Sequence, residues 1–180
     1  ERLGRAPMVL EAKEGLALIN GTEIMKAWGV SGVLRASNLS LVDESGTRLV
    51  TLESQTPVRD FDVLAFSVSF EWDYTNVLTM LRLAGLPLRA AERDHTYPLV
   101  VIGGAVTFVN PEPLALFADV IAAGEGEVLV PTLVEACGTP SRSETLRRLA
   151  QARGFYVPSY YDVEYGADGT VARYVPREGT

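Results

Sequence analysis

The sequence predicts an α/β fold: an open, mainly parallel sheet with flanking helices and a C-terminal β-hairpin. Three observations predict it. Residues 62–70 (DVLAFSVSF), 98–104 (PLVVIGG) and 119–127 (DVIAAGEGE) each read as an apolar strand that stops at a small or polar loop. Continuous apolar runs of this length suit strands buried on both faces. Stretches of helical periodicity lie between them, and such alternation points to a parallel sheet. Near the end of the chain, Gly166-Ala167-Asp168-Gly169 separates two β-rich runs, which is a hairpin signal.

In chain order, residues 8–10 read as a short strand. Asn20-Gly21 marks a turn, and Thr22 is placed to cap a short helix over 22–28. Gly29, Gly32 and the polar stretch 37–45 read as loop, and 48–52 (RLVTL) as an edge strand. The strand over 63–68 is rich in β-branched and aromatic residues. Asp73 and Thr75 then precede Val77, Leu78, Leu81, Leu83 and Ala84, an amphipathic helix stopped by Gly85 and Pro87. Residues 86–91 read as a short strand and 92–97 as a charged surface loop carrying His95. After the strand over 99–102, Asn110-Pro111 has the form of an N-cap with proline at the first helical position, opening a helix to about Phe117. A third strand covers 120–122, and a helix follows over 127–136. Residues 138–141 form a linker, and Ser143 is expected to cap a basic helix over 144–152. Strands over 161–165 and 171–174 close the chain as the hairpin. Three segments follow from this pattern: 1–46 of uncertain fold, 47–138 as the sheet domain, and 139–180 as a helix-plus-hairpin extension.

The 180 residues suit one domain, and 47% hydrophobic with 22% charged residues are globular values. A net charge of −7 argues against nucleic acid and against an anionic membrane surface. No apolar run is long enough to span a bilayer. The opening Glu-Arg-Leu-Gly-Arg is not followed by an apolar signal core, so the cytoplasm is the expected location. Cys137 is the sole cysteine, which excludes an internal disulfide and an iron–sulfur cluster held by this chain alone. His95 is the sole histidine, so a His-rich metal site is excluded and a surface role is expected. Cys137, late in a helix, reads as a small buried apolar group.

Ligands of open parallel sheets bind outside the carboxyl ends of the strands, so those ends carry the functional expectation. Ser67 and Ser69 share a strand face and could bond a nucleotide, a cofactor side chain or a substrate; they could equally bond neighbouring loop backbone. Gly103-Gly104 either lets a backbone approach a ligand or makes a turn with positive φ. A bulky residue at Gly104 is accordingly expected to abolish binding and leave the fold intact. The surrounding residues are not a G-x-G-x-x-G fingerprint, so a dinucleotide site is not supported. Gly124-Glu125-Gly126-Glu127 opens a helix, where backbone amides hold an anion or a hydroxyl. The two glutamates make free phosphate a poor guest, and Glu127 alternatively complements the helix dipole. Tyr156, Tyr160, Tyr161, Tyr165 and Tyr174 read as hairpin packing or as a docking face.

The spacing of SVSFEWDYTN at 67–76, GGAVTFVNPEPLALFAD at 103–119 and GEGE at 124–127, followed by GFYVPSYYDVEY, resembles the N-terminal region of cobalamin-binding-type radical S-adenosylmethionine proteins. The likeness covers about 47–165. It implies a Rossmann-like (flavodoxin-like) domain that precedes a barrel whose CxxxCxxC motif holds the iron–sulfur cluster. By resemblance, Ser67, Ser69, Glu71, Gly103, Gly104, Thr107, Asn110, Gly124, Glu125 and Gly126 line the cofactor or substrate crevice, with cobalamin as the cofactor. This chain lacks CxxxCxxC, so S-adenosylmethionine and the cluster belong to a barrel it does not contain; that barrel is the expected partner. It also lacks DxHxxG, so cobalamin here would have no histidine ligand from that motif. The first strand that normally opens this fold is not evident before Thr47.

A second likeness lies upstream. APMVLEAKEGLALINGTEIM, residues 6–25, resembles the EGLALINGT segment of histidine and aromatic amino-acid ammonia-lyases. The active-site asparagine of that motif maps to Asn20. The Ala-Ser-Gly triad that forms the electrophile of those enzymes is absent, which argues against lyase activity. The sequence therefore leaves several expectations. The chain is a cobalamin-binding module from a radical S-adenosylmethionine protein, active only with its barrel, or it is a docking scaffold with an empty crevice. An ammonia-lyase fragment is the remote alternative. The two likenesses together suggest a fragment, a chimera or a decayed copy.

Overall fold

The computed structural model describes the backbone of Met8–Val9 and Leu16–Ile19, then Leu49 and residues 56–177. The helix expected over 22–28 lies outside the described residues, as does the strand over 48–52 apart from Leu49. Eight strands are described: β1 (Met8–Val9), β2 (Leu16–Ile19), β3 (Val63–Ser67), β4 (Leu99–Gly103), β5 (Val120–Ala122), β6 (Phe155–Tyr156), β7 (Tyr161–Tyr165) and β8 (Val171–Pro176). The helices are α1 (Tyr74–Leu83), α2 (Val106–Val109), α3 (Glu112–Ala115), α4 (Gly126–Cys137) and α5 (Arg142–Gln151). Strands β1 to β6 form one sheet in sequential order, and β7 pairs with β8. β2, β3, β4 and β5 run parallel, and β1 and β6 close the two edges antiparallel. This is a mainly parallel α/β sheet of Rossmann-like type with a C-terminal antiparallel hairpin, as expected.

The sheet is covered on both sides because alternate strand residues go to opposite faces. Leu64, Phe66, Val100, Ile102 and Ile121 pack on one face with Val77, Met80 and Leu81 of α1 and with Val106 and Leu114. Val63, Ala65, Leu99, Val101 and Val120 pack on the other with Val130 and Leu133 of α4 and Leu149 of α5. Each fully buried Val, Leu, Ile, Phe or Met among them stabilises the fold by roughly 1.5–3 kcal/mol. Two-faced burial is why these strands lack polar alternation and stand out in the sequence.

The opening strand of the sheet, not evident before Thr47, is β2. Leu16–Ile19 pairs in parallel with Val63–Phe66. The strand comes from within the lyase-like segment, where Asn-Gly and the surrounding charges obscured a run of only four residues.

Other expectations are corrected. Residues 86–91 are not a strand: their carbonyls are taken elsewhere. Arg93 Nη1 donates to Pro87 O and Leu88 O, both at 2.9 Å, and Ala90 N donates to Leu116 O. The loop that follows is a surface loop only in part. His95 is exposed, but Arg93 is buried. Arg93 reaches Phe117 O at 2.7 Å and the carboxylate of Asp119 at 3.2 Å. Asp119 also accepts from the amide of Val100 at 2.8 Å and lies 2.7 Å from Arg142 Nη2. That last contact is a charge pairing without a directed hydrogen bond. The cap of α5 is Ser141, not Ser143: Ser141 Oγ accepts from Glu144 N at 3.2 Å. Asn110, the expected cap, stands one residue before the cap: its Oδ1 accepts from Glu112 N at 3.1 Å, but the N-cap of the short α3 is Pro111.

The rings of Tyr156, Tyr161 and Tyr174 pack tilted or edge-on at 5.5–6.5 Å and join the hairpin to the sheet edge. Burial, and then the neighbouring Glu112 carboxylate, raise the Tyr156 phenol above its ordinary range. This supports the packing reading of the tyrosine cluster. No helix among the described residues is long and apolar enough to cross a membrane.

Candidate functional site

The connections fix where a crevice opens. The chain leaves β4 towards α2 and α3, whose buried residues belong to the Leu64–Phe66 side of the sheet. It leaves β5 towards α4, whose buried residues belong to the opposite side. The two loops therefore part between neighbouring strand ends, which is the condition for a ligand crevice in an open α/β sheet. A cavity of about 360 Å³ lies there.

Its floor is set by register. Ser67 pairs with Gly103, and Gly103 with Ala122, so three adjacent strands present a serine, a glycine and an alanine in one row. The row beneath is Ala65, Val101 and Val120. Leu129, Leu133 and Phe155 form the facing wall, and Ser69, Glu125 and Gly126 stand among the lining residues. Of the residues singled out in the sequence, Ser67, Ser69, Gly103, Gly104, Gly124, Glu125 and Gly126 line the cavity.

Glu71, Thr107 and Asn110 are not among its lining residues. Glu71 is exposed in a single 3-10 turn, Glu71–Asp73. Thr107 is buried and donates to Gly104 O at 2.8 Å, bracing the loop. The Asn110 side chain accepts from the Glu112 amide, and its carbonyl accepts from the Tyr74 hydroxyl at 2.7 Å. The apolar wall was missed. It comes from α4 and β6, later in the chain, and its leucines look like ordinary core in sequence.

Gly104 takes the positive-φ turn that the sequence offered as one alternative, and its neighbour there is the Val68 backbone. Val68 N donates to Gly103 O at 2.8 Å and Val106 N to Val68 O at 3.1 Å, so the loops after β3 and β4 are laced together. Gly104 has φ +97°, and a Cβ there would sit 2.5 Å from Val68 O and 2.6 Å from Val68 N. A bulky residue at Gly104 would thus strain the backbone, contrary to the expectation that the fold would survive it. Gly126 is the opposite case: a Cβ there meets nothing within 4 Å.

The mouth is apolar at its rim and acidic. Phe70, Phe108, Val109 and Val128 are exposed, and Trp72 is 89% exposed, all on loops or first turns at the carboxyl ends of the parallel strands. Scattered apolar residues are normal on a surface, but a set gathered on one edge marks a contact region. Glu125 occupies the N-cap of α4 without a side-chain cap bond, and Glu127 lies in its first turn. Both are exposed. No arginine, lysine or histidine is among the lining residues.

A larger hollow, about 780 Å³, lies at the amino ends of β3 and β4, lined by Arg59, Asp60, Asp62, His95 and Arg142 among others. It is more open and polar, and it lacks the glycine-edged strand ends. The candidate site is therefore the smaller, more enclosed crevice. His95, on this opposite edge, is not placed to ligate anything in the crevice. Among the described residues no group of three or more His, Cys, Asp or Glu side chains could hold a metal ion.

The family model described as "Radical SAM proteins, N-terminal" matches residues 35–158, and one described as "Aromatic amino acid lyase" matches residues 1–64. Among curated proteins, the chain is similar to the histidine ammonia-lyase of Alkaliphilus oremlandii, 49% identical over 55 residues, covering 31% of this chain and 11% of that enzyme. The enzyme of Myxococcus xanthus is 54% identical over 54 residues, 29% of this chain and 10% of the relative. The enzyme of Bradyrhizobium diazoefficiens is 57% identical over 170 residues, 69% of this chain and 33% of the relative. The chain thus spans about a tenth of the first two relatives and a third of the other. No solved structure matches it.

Proposed function

The chain belongs to the family of radical SAM proteins, N-terminal, and from that premise we propose that it is the ligand-binding module of a radical S-adenosylmethionine protein, with cobalamin as its cofactor. The observation that carries this reading is the crevice at the carboxyl ends of β3, β4 and β5, where the loops part and glycines edge the opening. Large cofactors need backbone edges that side chains do not obstruct, and Gly103, Gly124 and Gly126 supply them. A corrinoid would bring its own cobalt chemistry. The protein's part would be to hold and orient it. No histidine lines the crevice, so the cobalt would have no imidazole ligand from this site. Cleavage of S-adenosylmethionine and its iron–sulfur cluster would reside in a barrel domain, because one cysteine cannot hold a cluster. Alone, this module would bind without catalysing.

The test is a visible-spectrum titration of the purified chain with hydroxocobalamin, followed by gel filtration. A shifted corrin spectrum that co-elutes with the protein is expected. An unchanged spectrum with separate elution would sink the cobalamin reading.

A docking role is supported by a separate observation, the exposed apolar rim of Phe70, Trp72, Phe108, Val109 and Val128. In that reading the rim meets the radical S-adenosylmethionine barrel. A barrel supplied in trans should co-elute with the chain, and substitution of Trp72 and Phe108 by alanine should weaken the complex. Equal co-elution of the variant would remove the rim from the interface.

A further inference from the structure

We propose that the slot beneath the crevice mouth binds an uncharged nucleoside, its base flat on the strand-end shelf and its sugar hydroxyls at Glu125. The inference goes beyond the cobalamin reading, since it concerns the slot itself rather than a cofactor covering the mouth.

The shelf is the row Ser67, Gly103 and Ala122 on three neighbouring strands. Parallel strands lie about 4.8 Å apart, so three span roughly 10 Å, the width of a fused two-ring base. Nothing larger than a hydroxymethyl group rises from that row. Leu129, Leu133 and Phe155 face it across the cavity. A planar ring between a bare sheet edge and an apolar wall is dehydrated on both faces. The cavity volume of about 360 Å³ is near the low end for small-molecule sites. It suits a nucleoside, whereas a corrin ring would lie over the mouth, against its glycine edges, and not inside the slot.

The polar groups gather at the mouth. Glu125 is an acceptor, suited to the paired hydroxyls of a ribose, and Ser69 can both donate and accept. The first amides of α4 have no partner within the helix and can donate to a neutral oxygen. A phosphate is disfavoured. The lining holds no cation, and Glu125 and Glu127 flank the opening. Two carboxylates several ångströms from a phosphate at the surface cost about tenfold in affinity.

The experiment is calorimetric titration of the full chain with adenosine, with adenosine 5′-monophosphate and with hydroxocobalamin. Saturable adenosine binding is expected, with the monophosphate at least about tenfold weaker. Glu125→Gln with Glu127→Gln should narrow that gap. Gly126→Phe places a ring in open space at the mouth and should abolish adenosine binding with an unchanged circular dichroism spectrum. If that variant misfolds, amide shifts of the unaltered chain locate adenosine instead: perturbation centred on residues 103–104 and 124–126 is expected. No saturable adenosine binding, monophosphate binding as tight as adenosine, or shifts centred elsewhere would overturn the proposal. Binding of hydroxocobalamin without adenosine overturns it and leaves the cobalamin reading standing. Binding of adenosine without hydroxocobalamin does the reverse.

Discussion

Gly104 and Asp119 are the residues on which most of the local geometry turns. Gly104 holds a positive φ in contact distance of the Val68 backbone, so Gly104→Ala should cost at least about 1–3 kcal/mol of stability. A denaturation midpoint unchanged by that substitution would show the two loops to be looser than described. Asp119 accepts hydrogen bonds from Arg93 and the Val100 amide and pairs its charge with Arg142. The Arg93 side chain is wholly buried. Removing its partner strands a buried charge, and Asp119→Ala should cost about 3–5 kcal/mol in chemical denaturation. A loss well under 1 kcal/mol would mean that water or the surrounding carbonyls satisfy Arg93 unaided. The sequence offered Gly103-Gly104 as a ligand edge or a positive-φ turn, and Gly104 takes the turn. Its contact with Val68 and the role of Asp119 were not readable, because the partners lie on other parts of the chain; Arg93 looked like part of a solvated loop.

Among the elements, legibility follows burial. β3, β4 and β5 are continuous apolar runs because both their faces are covered, and their boundaries were clear from residue type alone. β2 and β6 are short and have no such signature: one is four residues and the other two. α2 follows β4 after only two residues, and its apolar sequence VTFV resembles a strand. The cap of α5 was misplaced by two residues because Ser141 and Ser143 are both capping types; only the Ser141 hydroxyl takes the Glu144 amide. The same helix carries a pH dependence. Glu144 accepts hydrogen bonds from Arg147 and Arg148, which pull its carboxyl from 4.5 down to about 2. The folded value is the lower one. Its contribution is therefore complete above about 4.5 and lost as pH falls towards about 2. A carbon-detected titration of the Glu144 carboxyl should show that depressed midpoint, and Arg147→Gln with Arg148→Gln should return it towards the ordinary value. An unshifted midpoint in the original chain would contradict the two contacts.

At the scale of the molecule, one edge of the sheet gathers the cavity, the glycines, the acidic mouth and the exposed aromatic rim. Seven of the ten residues singled out in the sequence line that cavity. The strand-end rule found them, since it needs only the ends of apolar runs. Glu71, Thr107 and Asn110 were carried in by motif spacing, and two of them serve the loops that shape the edge instead. The facing wall could not be read, because it is assembled from α4 and β6 by tertiary packing. The overlap of two family likenesses has a structural counterpart. Leu16–Ile19, within the lyase-like segment, is hydrogen-bonded in register to β3 of the radical SAM N-terminal sheet.

The most direct test of the whole account is an amide chemical-shift map of the chain with hydroxocobalamin added. The account predicts perturbations concentrated at residues 67–69, 103–104 and 124–126, on the carboxyl edge. Perturbations centred on His95 and residues 139–142, at the amino-edge hollow, or none at saturating ligand, would contradict it.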